Sequence, residues 1–98
     1  MNENIQLEFE CTFDARTIEE VRDKGYFQYA VAVLPDGRRV RLSFWDPIRL
    51  SQDMETETRL GRSCIGEPGL IIVPHVTPDS MLAAVKELYS KGYFERLR

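Results

Sequence analysis

The chain has 98 residues, of which 43% are hydrophobic and 30% charged, and a formal charge of −3. That apolar share over that length fits one globular domain and excludes a disordered chain, and no apolar run approaches the ~20 residues of a membrane-spanning helix. The mild acidity argues against a dedicated nucleic-acid binder, whose surface is strongly basic.

Ile5, Leu7, Phe9, Cys11 and Phe13 alternate with Gln6, Glu8, Glu10 and Thr12. Period two predicts a strand over 5–13 with one buried and one wet face, the pattern of an antiparallel sheet covered on one side. Thr17-Ile18-Glu19-Glu20 reads as a capping box, and Gly25 suits a left-handed helix stop, so a short helix is expected over 18–24. It is too short to stand alone and is expected to lean on the core through Ile18 and Val21.

A second strand is expected over 26–34. Phe27, Tyr29, Val31 and Val33 form one face. The other carries Gln28, Ala30, Ala32 and Leu34, small rather than charged, which suits a central position. Pro35-Asp36-Gly37 is a hairpin turn. The return strand over 38–45 turns Val40, Leu42 and Phe44 inward and Arg39, Arg41 and Ser43 outward. If this strand neighbours the first, Glu8 and Glu10 pair with Arg39 and Arg41.

Trp45-Asp46-Pro47-Ile48-Arg49-Leu50 is a helix start. Asp46 suits the N-cap, Pro47 the first helical position, and Trp45 and Leu50 the two staple positions. This helix is expected over 47–54, followed by a polar, glycine-containing loop over 55–69. A loop that long in a small domain is functional or mobile. The apolar run 70–73 predicts a buried strand ended by Pro74. Thr77 and Pro78 repeat the helix-start signal, with Val76 and Met81 as staple. Met81, Leu82, Val85, Leu88 and Tyr89 recur at helical spacing up to a stop at Gly92. Phe94 and Leu97 are expected to fold back on the core. The fold class is therefore α+β: about four strands, mainly antiparallel, with one face covered by the C-terminal amphipathic helix and short helices. A chain of this length predicts a radius of gyration of about 13 Å.

Ten of the 13 cations are Arg, the side chain suited to bidentate pairing with carboxylates. Two cysteines, Cys11 and Cys64, make no disulfide framework, and reduced thiols are expected. Met1-Asn2-Glu3-Asn4 lacks the basic start and apolar stretch of a signal peptide, so a cytoplasmic location is expected. His75 is the only histidine. No Cys/His cluster has metal-ligand spacing and no phosphate-loop motif occurs, so no metal and no cofactor is expected.

Two constellations compete for function. Cys64 with His75 offers a nucleophile and a base if the fold brings them into hydrogen-bond reach, and the 55–69 loop would then line a small-ligand or enzymatic pocket. The simpler account is a loop cysteine and a surface histidine. Trp45, Arg49, Tyr26, Arg59 and Arg62 offer a protein-contact surface, since Trp, Tyr and Arg are the side chains that most often anchor interfaces. Trp45 fits equally well in the core. Arg38, Arg39 and Arg41 with Arg59 and Arg62 would make a basic patch only without the acidic residues around them. Glu55 and Glu57 read as an exposed acidic stretch.

The layout from 26 to 90 resembles a class of small bacterial immunity proteins of polymorphic toxin systems. The matching positions are Asp36-Gly37 in the hairpin, Trp45, Pro47 and Leu50 at the junction, then Gly69 and the strand 70–73 ahead of an amphipathic helix. The Thr17–Gly25 segment stands where that class has an acidic stretch. The resemblance implies a non-catalytic, cytosolic, toxin-binding protein and carries over no catalytic residue. The first expectation is a protein-interaction module that binds a protein partner or forms a homodimer through a sheet edge. The alternatives are a small-ligand binder or enzyme at Cys64 and His75, and a structural subunit of a larger assembly.

Overall fold

A computed structural model describes residues 5–96; Met1-Asn2-Glu3-Asn4 and Leu97 lie outside them. The elements run β1 (Gln6–Phe9), α1 (Ala15–Lys24), β2 (Tyr26–Val33), β3 (Arg39–Trp45), α2 (Pro47–Arg59), β4 (Leu70–Ile72), α3 (Pro78–Ser90) and a 3-10 turn (Tyr93–Glu95). The sheet order is β1-β2-β3-β4. The first two pairings are antiparallel and β3–β4 is parallel, so α2 lies in the crossover that a parallel pair requires. The class is α+β with a mixed, mostly antiparallel sheet.

β2 is central, as its small residues indicated, but its faces differ from strict alternation. Phe27 opposes Phe44 while Ala30 opposes Leu42, so β2 holds one extra residue at Gln28–Tyr29. This bulge shifts the side-chain phase. Phe27, Ala30, Ala32 and Leu34 therefore share the core, and Tyr29 is 55% exposed. The core cluster joins them to Ile5, Leu42, Phe44, Ile71, Val73 and Val76, to Val21 of α1, to Met81 and Val85 of α3, and to Phe94.

Three boundaries differ markedly from the sequence reading. β1 ends at Phe9, and Cys11 is exposed instead of inward. Phe13 still closes on Phe9 and Phe27, with ring centroids 4.7 and 5.0 Å away. α1 begins earlier because Asp14, not Thr17, caps it: the Asp14 carboxylate accepts the Thr17 N–H at 2.8 Å. α2 runs on to Arg59, which shortens the loop to 60–69. Thr56 and Thr58 donate their hydroxyls to the Gln52 and Met54 carbonyls, which accommodates polar β-branched residues in a helix.

β4 approaches β3 closely at its start. The Ser43 N–H donates to the Gly69 carbonyl at 3.0 Å, and the Ser43 hydroxyl donates to Glu67 at 2.9 Å. Gly69 has φ +72°, and a Cβ there would lie 2.6 Å from the Arg41 carbonyl oxygen. Only glycine fits both constraints.

The radius of gyration is 14.2 Å and the principal extents are 45 × 34 × 19 Å. A crossover helix ordinarily packs back on its sheet. α2 has no buried residue, and none of its residues belongs to the core cluster or packs against it.

Candidate functional site

The junction of β3 and α2 is built on a shared contact with the end of α1. Asp46 has an extended backbone, and its carboxylate accepts the Arg49 N–H at 2.7 Å, a standard N-cap. The Asp46 N–H donates to the Gly25 carbonyl at 2.9 Å. Gly25 closes α1 at φ +76°, and a Cβ on it would meet the Asp46 carboxylate oxygens at 2.8 Å. One glycine thus ends one helix and makes room for the cap of the next. The sequence held each signal separately and gave no sign that they meet.

Tyr26 and Trp45 are register partners across β2 and β3, and Trp45 partners Ile72 on the other side. The Arg49 guanidinium lies 4.2 Å over the Tyr26 ring and its Nε donates to Asp53 at 3.1 Å. Three of the five nominated residues, Tyr26, Trp45 and Arg49, therefore meet at this junction. Trp45 is 8% exposed, so its ring presents little surface. Arg59 stands ten residues beyond Arg49, roughly 15 Å along the helix. Arg62 follows the helix end and pairs with Glu57 at 3.4 Å.

The open surface of α2 was not visible in a reading that stopped the helix at 54. Pro47, Leu50, Ser51, Met54 and Thr58 line a groove along one side of it. Leu50 and Met54 are half-buried, whereas Ile48 and Leu60 are 69% and 61% exposed. The strand arginines are engaged elsewhere. Arg39 meets Glu8 at 2.8 Å, Arg41 meets Glu10 at 2.9 Å and Arg38 meets Asp36 at 3.0 Å. These pairs dissolve the basic patch.

Cys64 and His75 are both exposed, and no hydrogen bond joins them. Neither lines the groove between β4 and α3, the groove along α2, or the hollow beside α1. Cys11 and Cys64 are free thiols. Among the described residues no three His, Cys, Asp or Glu side chains are placed to hold a metal ion, and no helix is long and apolar enough to cross a membrane. Comparison with protein-family models, with curated proteins and with solved structures finds no match.

Proposed function

We propose that this chain is a non-catalytic protein-interaction module whose contact element is α2, with Tyr26 and Arg49 at its base. One observation carries the reading: a crossover helix with an apolar stripe that contributes nothing to the core. A helix of this length is marginal by itself in water. Here its first turn is fixed by Asp46, Pro47 and Arg49, so the helix is held out ready-formed and loses little entropy on docking. Full burial of a Leu or Met side chain is worth ~1.5–3 kcal/mol, so completing the cover of Leu50 and Met54 supplies a usable part of a binding energy. The likeness at Trp45, Pro47 and Leu50 to toxin-system immunity proteins supports a specific form of the module, in which the bound protein is a toxin.

The test is growth protection. The chain is co-expressed with the toxin domain encoded beside its gene, and the pair is run on gel filtration. Protection and co-elution are expected, and both should be lost in a Leu50→Asp, Met54→Asp variant whose circular dichroism is unchanged. A neighbourhood without a toxin gene, or no protection, defeats the immunity form. Full protection by the double variant defeats the assignment to α2.

A further inference from the structure

We propose that the α2 stripe takes α2 of a second copy of this chain, crossing antiparallel, so that the protein self-associates through Leu50, Met54 and Thr58. This rests on the reading of α2 as the contact element and names its occupant.

The charges beside the stripe select that occupant. Glu55 and Arg59 border the groove on one flank of α2, one helical turn apart. Opposite charges at this spacing close elsewhere in the chain. Arg16–Glu20 meet at 3.3 Å, Arg49–Asp53 at 3.1 Å and Glu87–Lys91 at 2.9 Å. Glu55 and Arg59 make no such pair, and among the described residues neither has another ionic partner. When two identical helices cross antiparallel about a two-fold axis, each flank faces the same flank of its mate. Glu55 then stands across from Arg59 of the second copy, and Arg59 across from its Glu55. The flank is self-complementary, and the two pairs set direction and register over a centre of Met54 and Thr58.

The β4 edge of the sheet is a weaker route to a dimer. Ile72 is 43% exposed on β4, but Pro74 has no N–H and the Leu70 N–H is spent on Glu67. The edge is left with few donors.

Sedimentation velocity of the full chain from ~1 μM to ~1 mM tests the proposal, with a reversible monomer–dimer equilibrium expected. Glu55→Arg or Arg59→Glu alone should raise the dimer Kd roughly tenfold, and the two together should return it to within about threefold. Met54→Asp should leave a monomer with unchanged circular dichroism, since α2 is outside the core. A chain that is monomeric throughout overturns the proposal. So do single reversals without effect, or a double reversal as weak as the singles. A monomer whose partner binding is nonetheless lost in Met54→Asp gives the stripe to a different protein. That result ends the self-association and leaves the interaction-module reading standing.

Discussion

The guanidinium of Arg49 sits 4.2 Å above the ring of Tyr26 and ties the first turn of α2 to the start of β2. α2 lacks core contacts, so this contact and the Asp46 cap set its angle. A stacked cation is worth ~0.5–1 kcal/mol at such a site. Arg49→Ala should therefore speed amide exchange within α2 roughly two- to fivefold and leave β2 and β3 protected. Unchanged exchange in α2 would show that the stack holds nothing. Trp45 is the only tryptophan, and its fluorescence provides a local check that the junction beneath stays folded.

Gly69 is the least replaceable residue of the crossover. Alanine there incurs ~1–2 kcal/mol for its left-handed backbone alone. It also drives a methyl to 2.6 Å from the Arg41 carbonyl, and that neighbour is strand backbone, which has little room to move. Gly69→Ala should lower stability by more than ~2 kcal/mol in urea, a fall in Tm on the order of 10 °C for this size. Gly66→Ala meets nothing within 4 Å and should be near neutral. Similar midpoints for both variants would contradict the close approach of β3 and β4.

Glu8 and Arg39 join at 2.8 Å although β2 lies between their strands. Glu10 and Arg41 do the same at 2.9 Å. The side chains reach across β2, where Val31, register partner of both Glu8 and Arg41, is 4% exposed. Both pairs are well exposed, so the coupling should be small. A Glu8→Ala, Arg39→Ala double-mutant cycle should give ~0.2–1 kcal/mol, vanishing near ~1 M salt. A larger, salt-insensitive value would mean that the pairs bear on the fold and not only on strand register.

Acid should weaken the two helix ends that carboxylates hold. The Thr17 N–H, bonded to the Asp14 carboxylate, holds its pKa below the ordinary aspartate value. Hydrogen bonding from Lys91, then its charge, does the same for Glu87. A carboxyl lowered on folding stabilises the fold above its unfolded pKa and stops doing so as pH falls through the folded value. The difference in stability between the natural chain and Asp14→Ala should thus be constant at neutral pH and shrink only below the ordinary aspartate range. A difference that instead changes between pH 6 and pH 8 would assign the effect to another group.

The local punctuation of this fold was legible because it depends on single residues. Asp46 with Pro47, Thr77 with Pro78, and Gly25 each start or stop a helix by their own backbone chemistry, and all three occur where read. Misreadings fell where two local signals compete. Asp14 and Thr17 are both good caps, and the structure uses Asp14. Thr56 and Thr58 look like loop residues until their hydroxyls find carbonyls one turn back. Of the candidate surface, Tyr26, Trp45 and Arg49 were named from residue type, but Trp45 is covered and the stripe of Leu50 and Met54 was not named. Whether an apolar residue is covered depends on elements distant in sequence.

By itself the sequence determined that this chain forms strands and amphipathic helices and where most of them begin; the small residues of β2 suited a central position without fixing the strand order. Periodicity and caps act within a few residues, so they can be read along the chain. Tertiary structure alone decided the β2 bulge, the parallel seating of β4 beside Ser43, Phe44 and Trp45, and the meeting of Gly25 with Asp46. It also decided that α2 adds no residue to the core cluster. The first three are contacts between residues far apart in the chain, fixed by the room one backbone leaves for another, and the last is the absence of such a contact.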